Sequence, residues 1–343
     1  MLPKVSSKEF IKGMPKAELH LHLEGTLEPE LKLLLSKENQ VVLEQKTVAE
    51  IKKSYQFDSL TSFLQVYYSG MSVLQKEEDF YRLALDYLKK AKEHNVRYVE
   101  LFFDPQAHTT RGVAFDTVIK GYARAVSDSQ ALFGIESALV MCFLRDLSAE
   151  SAEETLTAAL PYKELILGVG LDSDERDNPP IKFKKVFKKA QEIGWHTTMH
   201  CDIDQEDSIE HIEQALLDIG VERIDHGTNI VENPRLVEYI KEKGIGLTCC
   251  PVSNSFVVED MKGKEMLKLL QEGVKVTLNS DDPAYFQSYI SDDFVALSQK
   301  YPLAPKEIAQ LAKNSFEIAW ISDERKAQYF AEIEEYVADY AEK

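Results

Sequence analysis

The sequence predicts an α/β protein that forms one (β/α)8 barrel of the TIM type. Short apolar segments alternate along the chain with amphipathic segments of helical period, an order typical of parallel βαβ units. The apolar segments number eight, which is the number of parallel strands that closes a barrel. A doubly wound open sheet is the alternative fold. It is disfavoured because no glycine-rich phosphate loop opens a helix after the first apolar segment.

The eight predicted strands are short and largely apolar, as in parallel sheets that helices cover. They comprise residues 17–23, 96–103, 135–143, 165–171, 196–201, 223–226, 246–250 and 275–278. Helical period is clearest between them at residues 80–93, 115–132, 183–193, 208–217, 235–243 and 264–271. Two parts exceed a minimal barrel: a helical insertion at 27–95, rich in aromatic residues, and C-terminal helices at 305–343. We expect a single domain over residues 1–343.

The composition limits the partners of this chain. Its 343 residues include 58 acidic and 40 basic ones, so the net charge is −18. This charge disfavours binding to nucleic acid polymers and anionic membranes but not to a small neutral molecule. The sequence has neither an apolar signal-peptide core nor a segment near the roughly 20 apolar residues that span a bilayer. Its four cysteines make no disulfide framework, so we predict a cytoplasmic protein and leave a homo-oligomer open.

Two histidines lie close together near the end of the first predicted strand. His20 and His22 are two residues apart, so their side chains share one face of the strand, with Cα atoms about 6.6 Å apart. Both imidazoles can therefore reach one metal ion. This spacing alone is a weak signal, because a partly polar strand can carry the same pair without a metal.

Other predicted strand ends carry the same kinds of side chain. His200 closes the fifth predicted strand, and His226 closes the sixth. Asp281 and Asp282 follow the eighth. The carboxyl ends of all strands meet at one mouth of such a barrel, where active sites are built. Imidazole and carboxylate ligands suit a catalytic divalent ion, above all zinc, so the sequence predicts a metal centre at this mouth.

Four sequence motifs lie at the ends of predicted strands. They are PKAELHLHLEG at 15–25, RIDHG at 223–227, CPVSN at 250–254 and NSDDP at 279–283. Together they resemble the motif set of the adenosine/adenine deaminase family, metal-dependent hydrolases of the amidohydrolase superfamily. The likeness covers nearly the whole chain and is greatest to the adenine deaminase branch. Glu24 stands where nucleoside-specific members usually carry aspartate, and FFDPQ at 102–106 and DPAYF at 282–286 also resemble that branch.

The resemblance implies a (β/α)8 barrel, one zinc ion per chain and hydrolytic deamination at C6 of a purine. It implies four metal ligands: His20, His22, His200 and Asp281. His226 would be the base that deprotonates the attacking water, and Asp282 would hydrogen bond N7 of the purine. Glu24 would contact nitrogens on the sugar edge of the ring. Ser173 would stand where the family offers the ring a backbone contact.

The pattern breaks after the third metal histidine. The family has Ala-Gly-Glu there, and the glutamic acid protonates the ring, whereas this chain has Cys201, Asp202 and Ile203. Isoleucine donates no proton, and general acid catalysis is worth roughly 10²–10⁴-fold. Asp202 or Asp204 could supply the proton from a rearranged loop, although both are also compatible with helix capping. Alternatively, the loop reshapes the pocket for an N6-substituted adenine, or the protein keeps the metal without the chemistry.

We therefore predict a zinc-dependent enzyme that converts adenine or an N6-substituted adenine to hypoxanthine and releases ammonia or an amine. One alternative is an adenosine deaminase that acts on the nucleoside. A second is another metal-dependent hydrolase on the same barrel. A third is a purine-binding protein that retains the metal but is catalytically inert, since fold alone does not decide function.

Overall fold

The computed structural model describes residues 6–57, 59–201 and 203–342, and it confirms the predicted barrel. Eight strands form one sheet in chain order, and each pairs in parallel with the next. The strands are β1 (Lys16–Glu18), β2 (Val96–Phe103), β3 (Glu136–Leu144), β4 (Ile166–Asp172), β5 (His196–Cys201), β6 (Arg223–His226), β7 (Gly246–Cys249) and β8 (Lys275–Leu278). Seven of them agree with the predicted strands to within one residue at each end.

The first strand is shorter than predicted, because regular pairing stops at the end of β1 and only isolated bridges follow. Leu21 bridges in parallel to Asp281, and His22 bridges to Phe102 at the end of β2. The backbone N–H of His22 donates to the Asp281 carbonyl at 3.0 Å, and the Asp281 N–H donates to the His20 carbonyl at 3.1 Å. These bonds join the first and last strands, so the barrel closes at the predicted metal ligands.

Helices connect the strands and form the outer layer of the barrel. They are α1 (Lys8–Gly13), α2 (Pro29–Glu38), α3 (Val48–Ser54), α4 (Leu60–Gly70), α5 (Glu77–Glu93), α6 (Pro105–Thr109), α7 (Phe115–Phe133), α8 (Ala149–Ala159), α9 (Lys184–Ile193), α10 (Ser208–Glu213), α11 (Pro234–Lys243), α12 (Pro251–Val257), α13 (Gly263–Gln271), α14 (Pro283–Phe286), α15 (Ile290–Lys300), α16 (Pro305–Glu317) and α17 (Asp323–Glu342). Helices α2 to α5 lie between β1 and β2, and α16 and α17 follow the barrel. No helix among the described residues is both long and apolar enough to cross a lipid bilayer.

The amino-terminal end of the barrel is filled by a buried ion pair. Arg223, the first residue of β6, is fully buried, and its Nη1 lies 2.5 Å from Glu100 Oε2. Its guanidinium stacks over the ring of Trp320 at 3.7 Å from the centroid. A planar guanidinium satisfies both contacts at once. This end therefore serves packing, and the opposite end is left for chemistry.

Candidate active site

The four predicted metal ligands converge at the carboxyl ends of the strands. Asp281, in the loop after β8, places its Oδ1 at 3.4 Å from His20 Nε2 and 3.5 Å from His22 Nε2. The Nε2 atoms of His22 and His200 are 3.2 Å apart. All four side chains are buried. The structure thus brings together residues that are up to 261 positions apart in the sequence, from His20 to Asp281 (281 minus 20).

The imidazoles are oriented by hydrogen-bond acceptors behind them. His20 Nδ1 lies 3.1 Å from the carbonyl oxygen of Thr248 and therefore donates to it. His200 Nδ1 lies 3.5 Å from Asp225 Oδ2, while Asp225 Oδ1 accepts hydrogen bonds from the hydroxyls of Thr198 and Thr248. Carboxylates and carbonyls behind ligating histidines fix the tautomer and the ring orientation in metal sites.

The tautomer of His20 provides a test of whether the residues fit a cation. Because Nδ1 donates to Thr248, Nε2 is the ring nitrogen that faces Asp281 Oδ1, at 3.4 Å. His20 Nε2 has no hydrogen-bond partner among the described residues. A buried imidazole nitrogen and a buried carboxylate oxygen that converge in this way are the kinds of donor atom that a metal cation takes. The site can therefore hold a metal ion.

His226 completes the cluster from the end of β6. One ligand atom from each of His20, His200, His226 and Asp281 lies within 4.8 Å of the others. His226 Nε2 is 3.7 Å from Asp281 Oδ2, and burial lowers the pKa of His226 to about 4, so the imidazole is neutral at pH 7. His226 and Asp281 both adopt left-handed backbone angles, with φ of 59° and 63°. Such strain clusters at functional sites.

A pocket opens above the cluster and encloses about 620 Å³, including solvent at its mouth. Its floor is polar and its walls are largely apolar. It is lined by His22, Leu60, Phe63, Leu64, Tyr67, Tyr68, Asp104, Asp172, Ser173, His200, Ile203, His226, Ser253, Asn254, Val257, Asp281, Asp282 and Phe286. No lysine or arginine lines it within the described part of the chain. The pocket therefore suits a flat, uncharged ring and offers no cation for a phosphate group.

Asp282 lies on the pocket wall next to the cluster and is 4% exposed. Burial, reinforced by the adjacent Asp281 carboxylate, raises the pKa of Asp282 well above its usual range. This shift favours the neutral carboxyl, which offers an O–H donor. Gly25 makes room for it, because a Cβ at that position would lie 1.9 Å from Asp282 Oδ1.

Glu24 lies behind the pocket wall and is fully buried. Its Oε1 accepts hydrogen bonds from Tyr122 Oη at 2.9 Å and from His108 Nε2 at 2.8 Å. Arg111 Nη2 donates to His108 Nδ1, which leaves the ring proton of His108 on Nε2. Glu24 Oε2 has no hydrogen-bond partner among the described residues. His108 therefore supports Glu24 from outside the pocket.

Ser173 follows β4 and lines the pocket in a left-handed conformation, with φ of 74°. Its Oγ accepts a hydrogen bond of 2.8 Å from Tyr68 Oη on α4. The buried side chains of Phe63 and Tyr67, on the same helix, also line the pocket. The aromatic residues of the insertion thus pack in the core and cover the pocket at the same time.

Comparison with known proteins shows the family. A family model described as adenosine deaminase matches residues 15–336. The chain belongs to the adenosine deaminase family. An uncharacterized deaminase of Schizosaccharomyces pombe is 52% identical over 334 residues, covering 97% of this chain and 98% of the relative. An adenine deaminase of Hahella chejuensis is 45% identical over 335 residues, covering 97% and 100%. The crystal structure of an adenine deaminase from Arthrobacter aurescens superposes with a TM-score of 0.91 at 40% identity, covering 95% of this chain and 99% of that one.

The loop after β5 is where this member of the adenosine deaminase family departs from the motif pattern. Ile203 is 7% exposed and lines the pocket, and Asn229 Nδ2 holds its carbonyl oxygen at 3.1 Å. Asp204 is exposed instead, and its Oδ1 accepts a hydrogen bond from Gln205 Nε2. The structure therefore does not bring Asp204 into the pocket. Asp202 lies outside the described residues.

Sequence reasoning missed three buried carboxylates of this deaminase-family site. Asp104 follows β2, Asp172 ends β4, and Asp225 directly precedes His226. The strand-end rule that identified the histidines applies equally to Asp104 and Asp172, so the signal was present in the sequence. Asp225 points behind the histidines rather than into the pocket. Only the side-chain contacts reveal that position.

Proposed function

We propose that this chain is a zinc-dependent purine 6-aminohydrolase that acts on the free base. It converts adenine, or an adenine with an N6 substituent, to hypoxanthine and releases ammonia or the amine. The observation that carries this proposal is the convergence of three imidazoles on the Asp281 carboxylate beneath a pocket without basic lining residues among those described. The adenine deaminase relative at 45% identity supports the free base as the substrate.

The donor set suits zinc. We assign four ligands to one ion per chain: His20, His22, His200 and Asp281. Imidazole nitrogens and a carboxylate oxygen, with acceptors behind the imidazoles, are typical ligands of zinc. When bound, zinc lowers the pKa of water to about 7 and so supplies a nucleophile at neutral pH.

The remaining side chains orient the purine and move protons. His226 Nε2 faces the cluster and, being neutral, accepts the proton of the attacking water. The protonated Asp282 donates its O–H to N7, an acceptor in the N9–H form of the base. The backbone at Ser173 is a proposed contact for the sugar edge of the ring, whereas Glu24, which the resemblance assigns to the same edge, lies behind the pocket wall. Attack at C6 moves an electron pair onto N1, so an acid is needed there.

We propose Asp202 as this acid, because Ile203 takes the position of the family's glutamic acid and Asp204 is exposed. Asp202→Asn is expected to lower kcat for adenine by about 10²-fold or more, within the usual range for a general acid. Asp204→Asn serves as the matched control and is expected to keep kcat within about threefold. Steady-state kinetics with both variants at equal metal content test this. If both variants kept kcat within about threefold, the acid would lie outside this loop.

The substrate assignment is tested by assaying the metal-loaded protein with adenine, adenosine and N6-methyladenine. We expect hypoxanthine from adenine at kcat/KM of about 10⁴ M⁻¹s⁻¹ or higher, in the ordinary range for enzymes. Preferential release of inosine would favour the adenosine deaminase alternative, which the description of the family model supports. Purine binding without any product would favour the inert protein, an alternative motivated by Ile203 in place of the acid.

We also propose that the protein works in the cytoplasm with a small-molecule purine as its partner. Its four cysteines are buried, and no disulfide joins them. This is typical of proteins from a reducing compartment. Assembly into a homo-oligomer stays a prediction that sedimentation analysis would test.

A further inference from the structure

Asp104 carries a buried acceptor that points to a ligand. It follows β2, lines the pocket and is 1% exposed. Its Oδ1 has no hydrogen-bond partner among the described residues. A buried acceptor without a partner has lost its hydrogen bonds to water, so such atoms are usually satisfied by protein, water or ligand. On the wall of a substrate pocket, the substrate is the natural partner.

Asp104 and Asp172 lie close to the proposed metal ligand His22. One carboxylate oxygen of Asp104, one of Asp172 and a ring nitrogen of His22 lie within 4.8 Å of one another. Asp172 Oδ2 is 3.3 Å from His22 Nδ1. Burial, followed by the charge of Asp172, raises the pKa of Asp104.

The proposed substrate has one donor that the assigned contacts do not use. With C6 over the cluster and N7 at Asp282, the N9–H of adenine points away from the metal. The Oγ of Ser173 already accepts from Tyr68. Glu24 lies behind the wall rather than on it. Asp172 and Asp282 also have unpartnered oxygens on the wall, but Asp172 lies against His22 Nδ1 and Asp282 is assigned to N7. This leaves Asp104 Oδ1 as the buried acceptor that suits this N–H.

We propose that Asp104 is a substrate-contacting residue that accepts a hydrogen bond from N9–H and thereby selects free purine bases over nucleosides. This inference rests on the proposed function. A ribosyl or methyl group on N9 removes the donor and places carbon against a buried oxygen. Sites built to hydrogen bond a group typically reject analogues that lack it by about 10⁴–10⁵-fold.

The test compares adenine with 9-methyladenine, which differs only at this donor. We expect the wild-type holoenzyme to prefer adenine by about 10³-fold or more in kcat/KM. Asp104→Ala and Asp104→Leu are expected to reduce that preference at least about 30-fold, mainly through lost activity on adenine. Asp104→Asn retains an oxygen acceptor and can donate its amide to Asp172, so it should keep the preference within about tenfold. Asp146→Asn, an exposed carboxylate after β3, is the control and should change nothing.

If Asp104 had only a structural role, its variants would lose activity on adenine and on 9-methyladenine equally. An unchanged preference for adenine in the Ala and Leu variants therefore overturns the inference. Binding of the product base to the wild type tests the inference even if the variants do not fold. The holoenzyme should bind hypoxanthine at least about 100-fold more tightly than 9-methylhypoxanthine, and equal affinities would refute the N9 contact. A wild type that releases no product from any purine overturns the proposed function instead, whatever these affinities are.

Discussion

His226→Asn is expected to reduce kcat for adenine by roughly 10³-fold while the metal remains bound, because the variant loses the base that deprotonates the attacking water. His226 is 8% exposed and neutral at pH 7, and its Nε2 faces the cluster at 3.7 Å from Asp281. Asparagine is chosen because it tolerates the left-handed backbone at this position better than most residues. Steady-state kinetics and elemental analysis of the same preparation provide the two readouts.

The matched control for this variant is His196→Asn. His196 opens β5 at the other end of the barrel, where it pairs with Glu222. The His196→Asn variant should retain full turnover and full metal content. Turnover of the His226 variant within tenfold of the wild type would refute the assignment of the base. Loss of the metal in that variant would instead make His226 a ligand, as its place in the cluster permits.

Removal of the metal is expected to abolish turnover, to below about 1% of the holoenzyme, and to lower the melting temperature. His20 Nε2 and the Asp281 carboxylate, 3.4 Å apart in a buried site, are two of the groups proposed to hold the ion. A ligand at a thousandfold excess over its Kd stabilises a protein by about 4 kcal/mol, and chelation removes that contribution. Dialysis against a chelator, followed by calorimetry and addition of zinc, measures both effects.

Asp281→Asn should imitate chelation, with low metal occupancy and little activity that added zinc does not restore. Asp207→Asn is the control, because Asp207 is an exposed carboxylate beside α10. It should bind metal as the wild type does. A chelated protein with undiminished activity would show that the cluster serves structure alone, and the zinc proposal would then be wrong.

The sequence predicted the barrel because strand and helix periods are local properties of the chain. Seven of the eight strands were placed within one residue, since each is a short segment between stretches of helical period. The first strand was predicted too long because residues 19–23 have the composition of a strand but make only isolated bridges. Its hydrogen bonds go to Asp281 after β8 and to Phe102 of β2, which are distant in sequence.

The sequence alone did not predict the orientation of individual side chains. Position after a strand does not distinguish Asp104, which faces the pocket, from Glu24, which lies behind its wall. The difference depends on partners brought from other strands and helices, such as Tyr122 and His108 for Glu24. Likewise, the two aspartates flanking Ile203 look equivalent in the sequence. Only the structure reveals that Asp204 is exposed.

By itself, the sequence determined the closed barrel, the family and the set of strand-end histidines and aspartates from which a metal site is built. Tertiary structure alone decided which nitrogen of His20 faces the cation site, which aspartates lie on the pocket wall and which side chains cover it. The physical reason is the separation along the sequence of the residues that determine each property. Periodicity and motifs depend on neighbouring residues, whereas tautomers, buried acceptors and pKa values depend on groups that meet only when the barrel closes.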